Sequence, residues 1–167
     1  MIEVYQGIFV GQKDDCPLHG ARAQLSGQWA IVHAYPPCHR HALGYTTRAL
    51  PTGPEQYLAR QGNHLLLNML DSEQPGFFYK EAMIDPTLAF IDEMRAKGAN
   101  VLIHCAQGMS RSPSLALLYL ATRLGALPNA SLAAAEAQFK TLYPRYTPGY
   151  GIWAHLNQHW QAYCADG

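Results

Sequence analysis

Charge is scarce in this sequence of 167 residues, of which only 14 % are charged. Twelve basic residues balance twelve acidic ones, so the formal net charge at pH 7 is zero. A chain without a positive excess has no general electrostatic attraction for nucleic acid or for anionic membranes. We therefore expect neither a nucleic acid nor a membrane as a partner, and any anion must be bound by a local arrangement of groups.

Cysteine pairs of the kind that bind zinc are also missing. The four cysteines are widely spaced and include no Cys-x-x-Cys sequence; they are Cys16, Cys38, Cys105 and Cys164. This spacing argues against a disulfide framework and against a zinc site. A crowded segment with Cys38, His39 and His41, together with His33, invites a metal, but it lacks the paired spacing of stable zinc sites. We expect a reduced chain with no bound metal.

Long apolar runs are absent as well, although 49 % of the residues are hydrophobic. The longest run, around residues 115–121, is too short to cross a bilayer. Residues 1–5 lack the basic stretch and apolar core of a secretion signal, which favours a cytoplasmic location. A chain of 167 residues suits a single domain, and we expect one that covers residues 1–167.

Apolar segments of strand length alternate with longer segments of helical periodicity. The predicted strands lie within residues 2–10, 29–34, 64–69 and 100–104, and the predicted helices within 77–97, 112–124, 131–142 and 151–163. Four prolines within residues 35–54 favour a long loop there. The alternation predicts an α/β fold, with a mainly parallel central sheet of four to five strands and helices on both faces. Ligands of such sheets bind beyond the carboxyl ends of the strands, where Asp71 and Cys105 lie.

The residues from His104 to Ser112 read His-Cys-Ala-Gln-Gly-Met-Ser-Arg-Ser. A buried strand, a short loop and the start of a helix at this point predict a cradle for an anion. The loop amides are expected to surround a tetrahedral oxyanion, and the helix adds the positive end of its dipole. Gly108 permits a backbone conformation that a side chain would obstruct. Arg111 offers a planar fork of donors for two phosphate oxygens.

The same cradle favours ionisation of Cys105, and the thiolate is the nucleophilic form of cysteine. Ser112 is placed to donate its hydroxyl proton to the Cys105 sulfur, which makes that sulfur a better leaving group. His104 starts on the opposite face of the strand from Cys105, so we expect it to support the loop through hydrogen bonds without touching the substrate.

This run resembles the His-Cys-x-x-Gly-x-x-Arg-Ser/Thr signature of the protein tyrosine phosphatase superfamily, and the sequence Arg111-Ser112-Pro113 resembles its dual-specificity branch. Residues 8–11, 64–71 and 148–151 are similar to further segments of that family. The resemblance implies that Cys105 is the nucleophile and that Arg111 binds the phosphate. It implies the same phosphate-binding role for the loop residues, which are Ala106, Gln107, Gly108, Met109 and Ser110.

In that family an aspartate on a neighbouring loop protonates the leaving oxygen and then activates water. Asp71, at the end of a predicted strand, fits this role by position and by chemistry, since one carboxyl group can serve as acid and then as base. Glu73 is the second candidate. Asp85 is the third, because it falls within a predicted helix.

The resemblance implies a phosphatase that removes phosphate from phosphotyrosine, and from phosphoserine and phosphothreonine, in proteins through a thiophosphoryl enzyme, without a cofactor or metal. No basic residue lies inside the loop, which favours a phosphoprotein over a phosphoinositide. The segment at residues 35–54 is expected to form a solvated rim, with His39, Arg40 and Arg48 near the substrate. Two alternatives stay open: a non-catalytic phosphate-binding module, and a phosphatase for RNA 5′ ends or small-molecule phosphates.

Overall fold

The structure is a computed structural model that describes residues 1–18, 27–46 and 49–165. A six-stranded sheet forms its centre, with the strand order β1-β2-β6-β3-β5-β4. The strands are β1 (Ile2–Tyr5), β2 (Ile8–Gly11), β3 (Trp29–His33), β4 (Leu58–Gln61), β5 (His64–Leu67) and β6 (Asn100–His104). The four central strands run parallel, and the edge strands β1 and β4 are antiparallel to their neighbours.

This sheet confirms the predicted α/β fold, and it contains six strands where four to five were expected. The first predicted segment forms the hairpin β1–β2. The unexpected strand is β4, which pairs with β5 across a turn at Gly62 and Asn63. Two of its four residues are exposed, so its sequence lacks the apolar pattern by which the buried strands were recognised.

Five α-helices cover the sheet within the described residues: α1 (Pro36–Leu43), α2 (Asp85–Ala96), α3 (Arg111–Thr122), α4 (Leu132–Leu142) and α5 (Tyr150–Ala165). Ser131 caps α4 by accepting a hydrogen bond from the backbone N–H of Ala134 at 3.2 Å. No described helix combines the length and apolarity needed to cross a membrane.

The prediction of a loop over residues 35–54 is wrong for its first half, where α1 lies. Pro36 and Pro37 occupy the first turn of this helix, where a missing N–H costs no hydrogen bond, and Gly44 ends it in the left-handed conformation. His39 is buried and its Nδ1 lies 2.7 Å from the Tyr45 hydroxyl, so it is not part of a solvated rim. Arg48 lies outside the described residues.

The two faces of the sheet are covered unequally. Helices α2 to α5 pack on one face and enclose the main core, which includes Val101, Ile103 and Cys105. The other face carries α1 and a small second cluster around Cys16, Cys38 and Leu66. Because side chains alternate along a strand, Cys105 faces the main core and its neighbour His104 faces the α1 side.

Candidate active site

The segment after β6 forms a loop whose carbonyl groups all point away from its centre. Four successive carbonyls accept hydrogen bonds from different parts of the chain. Ala106 O accepts from the Lys13 backbone N–H at 3.3 Å, and Met109 O accepts from the Thr147 N–H at 2.8 Å. The other two bonds come from side chains: Arg145 Nη2 to Gln107 O at 3.2 Å, and the Tyr143 hydroxyl to Gly108 O at 2.8 Å.

The amides of residues 106–110 have no protein acceptor within the described residues, which leaves them free for an anion in the loop. Together with the start of α3 they surround a pocket of about 120 Å³. The pocket is lined by Asp71, Cys105, Ala106, Gln107, Met109, Ser110 and Arg111. The structure therefore brings the predicted nucleophile, the predicted acid and all the predicted phosphate-binding residues except Gly108 to the lining of one concave site.

Gly108 has a φ angle of +69°, in the region that favours glycine. A Cβ atom there would lie 3.0 Å from Gly11 O and 3.1 Å from the Tyr143 hydroxyl oxygen. Burial raises the pKa of Tyr143, so its phenol keeps the proton that it donates to Gly108 O. The shape of the loop thus depends on contacts with the end of β2 and with the segment after α4.

Replacing Gly108 by alanine should lower the stability of the protein. The left-handed conformation costs about 1–2 kcal/mol for a residue with a Cβ atom, and the two close contacts add to that cost. Gly98→Ala is the matched control, because Gly98 has a φ of +77° and a Cβ atom there would have no neighbour within 4 Å. Denaturant unfolding should show the larger loss for Gly108→Ala; equal losses in the two variants would contradict a role for the Gly11 and Tyr143 contacts.

Arg111 is the first residue of α3 and lines the pocket, and its side chain is only 7 % exposed. Its Nη1 donates a hydrogen bond to Met69 O at 2.9 Å, which fixes the direction of the guanidinium. Its Nε lies 3.4 Å from Asp71 Oδ2 in an ion pair but has no hydrogen-bond acceptor among the described residues. A buried donor without an acceptor fits a group that binds a ligand oxygen.

Asp71 lies at the edge of the pocket, four residues after the end of β5. Its Oδ1 accepts a hydrogen bond from the Ser110 hydroxyl at 3.0 Å, and Gly149 donates its backbone N–H to the same hydroxyl at 2.9 Å. The carboxylate remains 42 % exposed, so it can reach a substrate oxygen at the mouth. Glu73 is exposed and does not line the pocket, and Asp85 forms an ion pair with Lys80 at 2.9 Å.

The loop that carries Asp71 is held against the start of α5. A Cβ atom on Gly151 would clash with the carbonyl oxygen of Ser72, so only glycine allows this approach. The Pro-Gly-Tyr-Gly segment at 148–151 stood out in the sequence, but the sequence does not show that Gly151 contacts the backbone of Ser72.

Ser112 lies beneath the pocket, with its hydroxyl oxygen 3.2 Å from Cys105 Sγ and 3.1 Å from Gly11 O. The hydroxyl has one proton and can donate it to only one of these acceptors at a time. A thiolate is the stronger acceptor, because hydrogen bonds to charged groups are about twice as strong as neutral ones. The serine is therefore placed to stabilise negative charge on the sulfur.

His104 faces away from the pocket and contacts a group of buried residues on the α1 side. Its Nε2 lies 2.8 Å from His33 Nδ1 and 3.9 Å from Cys38 Sγ, and Cys16 Sγ lies 3.5 Å from the same His33 nitrogen. Burial lowers the pKa of His33 to about 4. The Cys38 hydrogen bond lowers the pKa of Cys16, and the same bond raises that of Cys38.

We call Cys16, His33, Cys38 and His104 the Cys/His cluster. The sequence suggested Cys38, His39, His41 and His33 as a crowded group, and the structure brings only His33 and Cys38 of these into the cluster. Cys16 and His104 were not expected as its members, because they are distant in the sequence. Tyr143 and Arg145 were also missed, since the contacts that they make with loop carbonyls have no local sequence signal.

Comparison with known proteins identifies the family of the chain. Residues 54–161 match the model of the family described as dual specificity phosphatase, catalytic domain. Dual specificity protein phosphatase 1 of Arabidopsis thaliana is 28 % identical over 112 residues, which are 67 % of this chain and 50 % of that protein. Dual specificity phosphatase 28 of Homo sapiens is 29 % identical over 131 residues, covering 68 % of this chain and 72 % of the human protein.

Solved structures share the fold. The crystal structure of human DUSP28 superposes with a TM-score of 0.67 at 23 % identity and full coverage of both chains. That of DUSP15 has a TM-score of 0.65 at 19 % identity, covering 99 % of this chain and 90 % of the other. The family match covers well over half of the sequence, including the loop, Asp71 and α3. The chain therefore belongs to the dual specificity phosphatase catalytic domain family, a branch of the protein tyrosine phosphatase superfamily.

Proposed function

We propose that this chain is a cysteine-dependent phosphatase that removes phosphate from phosphotyrosine, and from phosphoserine and phosphothreonine, in proteins. One observation carries the proposal: Cys105 Sγ lies in a pocket bounded by loop amides that have no acceptor in the described part of the chain, by the Arg111 guanidinium and by the Asp71 carboxylate. The chain spans half the length of its Arabidopsis relative, so the activity is argued from the site of this chain.

In the first step the Cys105 thiolate attacks phosphorus and the bond from phosphorus to the leaving oxygen breaks. The loop amides and Arg111 stabilise the negative charge on the three equatorial oxygens. Asp71 supplies the proton that the leaving oxygen needs. The products are a thiophosphoryl enzyme at Cys105 and a free hydroxyl group on the substrate.

In the second step water attacks the phosphorus and the bond to sulfur breaks. Asp71, now ionised, accepts a proton from the attacking water and so returns to its acid form. The Cys105 thiolate leaves while Ser112 donates its hydrogen bond over the 3.2 Å distance to Sγ. Inorganic phosphate is released and the enzyme is ready for another substrate.

The surroundings of the pocket support a protein substrate. Ala106, Gln107, Met109 and Ser110 line it without adding a basic side chain, so a second phosphate group has no partner inside the loop. A separate depression of about 140 Å³, which includes Leu70, the residue before Asp71 in the chain, is lined partly by exposed apolar side chains: Leu50, Leu70, Phe77 and Tyr79. Apolar surface next to a phosphate pocket suits the residues that flank a phosphorylated side chain in a peptide.

We expect the purified chain to hydrolyse para-nitrophenyl phosphate and phosphotyrosine peptides, with vanadate as a competitive inhibitor. Vanadate binds where the tetrahedral phosphate binds, so it should raise KM and leave kcat unchanged. A panel of phosphoserine, phosphothreonine and phosphoinositide substrates then defines the substrate class. Phosphopeptide binding without hydrolysis would instead indicate a binding module, and faster release of phosphate from RNA 5′ ends would indicate the RNA phosphatase.

A further inference from the structure

The Cys/His cluster is not used by the proposed phosphatase reaction. Its four residues are fully buried, and their ligand-type atoms all lie within 4.8 Å of one another. They come from the segment after β2, from β3, from α1 and from the end of β6. A group of two thiols and two imidazoles in one small volume is the donor set of a structural zinc site.

The topology of the sheet explains why residues so distant in the sequence meet. Strands β3 and β6 are parallel neighbours, and His33 is the register partner of His104, so their side chains lie side by side on the α1 face. Gly11 at the end of β2 is the register partner of His104 on its other side, and the chain then leads to Cys16. Cys38 approaches from α1, which packs on the same face.

The distances within the cluster fit a tetrahedral zinc ion. With bond lengths of about 2.3 Å to sulfur and 2.05 Å to nitrogen, ideal ligand separations are about 3.5 Å for sulfur–nitrogen and 3.3 Å for nitrogen–nitrogen pairs. Cys16 Sγ to His33 Nδ1 is 3.5 Å, and Cys38 Sγ to His104 Nε2 is 3.9 Å. The two histidine nitrogens lie 2.8 Å apart and would separate by about 0.5 Å to coordinate one ion.

The ring nitrogens that face away from the cluster already have the partners that zinc-binding histidines need. His33 Nε2 lies 2.9 Å from His64 Nδ1, and His104 Nδ1 lies 3.5 Å from the carbonyl oxygen of Cys105. With their protons on these outer nitrogens, both histidines present a lone pair to the centre of the cluster. The second contact joins the cluster directly to the backbone of the proposed nucleophile.

We propose that Cys16, His33, Cys38 and His104 bind one Zn²⁺ ion in a closed Cys₂His₂ site behind the phosphate loop. Two thiolates and one Zn²⁺ sum to zero charge, so the complex can be buried without a counter-ion. Soft sulfur ligands select zinc over the oxygen-preferring Mg²⁺ and Ca²⁺. Four protein ligands leave no open position, so the ion is structural, and it ties the residues before Cys105 to α1 and to the segment after β2.

Metal content and cobalt substitution test the site in the intact chain. Protein purified without chelator and kept reduced should contain about one zinc per chain, and exchange for Co²⁺ should give the sulfur-to-cobalt charge-transfer absorption of tetrahedral thiolate coordination. X-ray absorption of the zinc form should show two sulfur and two nitrogen ligands. Removing the zinc should lower the unfolding temperature, because an ion that binds only the folded state stabilises it.

Single variants assign the ligands. Cys16→Ser and Cys38→Ser should each lose the cobalt charge-transfer band, whereas Cys164→Ser, on α5, and Cys105→Ser should retain it. Loss of the band in Cys105→Ser alone would place the metal in the phosphate pocket and overturn the proposal. Two results with wild-type protein would also overturn the proposal: no uptake of metal by the reduced protein, or a disulfide between Cys16 and Cys38. The wild-type metal measurements do not depend on catalysis. The zinc proposal can therefore be rejected even where the protein is an active phosphatase.

Discussion

Replacing Cys105 by serine should lower kcat by about four orders of magnitude or more while phosphate binding survives. The serine hydroxyl stays protonated at neutral pH and is a poor nucleophile, so the thiophosphoryl enzyme cannot form. The loop amides and Arg111 are unchanged by this substitution, and they provide the binding energy for the oxyanion. Steady-state hydrolysis of para-nitrophenyl phosphate and calorimetric titration with a phosphotyrosine peptide measure the two effects separately.

The matched control for this experiment is Cys164→Ser. Cys164 lies on α5, is partly exposed and donates a hydrogen bond to Asn129 O at 3.4 Å, away from the pocket. Its substitution should leave kcat within a factor of about two of wild type, since a surface change of this kind has little effect on the folded state. Residual turnover of Cys105→Ser near the wild-type rate would reject Cys105 as the nucleophile.

The phosphate loop could be predicted from the sequence because its structure depends on neighbouring residues. A buried strand ends at His104, a glycine follows at Gly108, and a fully buried helix begins at Arg111, all within one continuous segment. Local order of this kind fixes where the amides and the guanidinium must point. Asp71 was also placed correctly at the pocket, because the ends of parallel strands meet at one edge of the sheet.

The Cys/His cluster could not be predicted, because it depends on strand order and register. Cys16 precedes His33 by 17 residues, and Cys38 precedes His104 by 66. No local spacing rule connects residues over such intervals. The lack of a Cys-x-x-Cys pair therefore does not exclude a cluster in which Cys16 and Cys38 meet only in the folded chain. Only the pairing of β3 with β6 shows that His33 and His104 are neighbours.

The hydrogen bonds that the rest of the chain donates to the carbonyls of the phosphate loop could not be predicted from the sequence either. Tyr143, Arg145 and Thr147 lie after α4 and bind three successive carbonyls of the loop. Their positions depend on how α4 and α5 pack on α3, which is a matter of tertiary contacts. Helix α1 was missed for a different reason: two prolines suggested a break in structure, although at the first turn of a helix they are compatible with it.

Replacing Asp71 by asparagine should lower kcat/KM by about two to four orders of magnitude, and the loss should depend on the leaving group. Asparagine keeps the size of the side chain and its carbonyl oxygen can still accept the Ser110 hydrogen bond, so the loop should be retained. A phosphoserine peptide needs a proton on a strongly basic alkoxide, and its hydrolysis should fall most. Para-nitrophenolate leaves readily without a proton, so its phosphate ester should show the smaller loss.

Glu73→Gln provides the comparison, because Glu73 has the same chemistry and lies two residues away but does not line the pocket. Its kcat should stay close to wild type with both substrates. If Asp71→Asn reduced kcat/KM for the two substrates by the same factor, the carboxylate would be positioning Arg111 through the ion pair at 3.4 Å and would not be the acid. If Asp71→Asn left the phosphoserine rate near normal while Glu73→Gln reduced it, the acid role would belong to Glu73. The contacts of Asp71 allow it either to donate a proton or to position Arg111. The dependence of the loss on leaving-group basicity distinguishes these two roles.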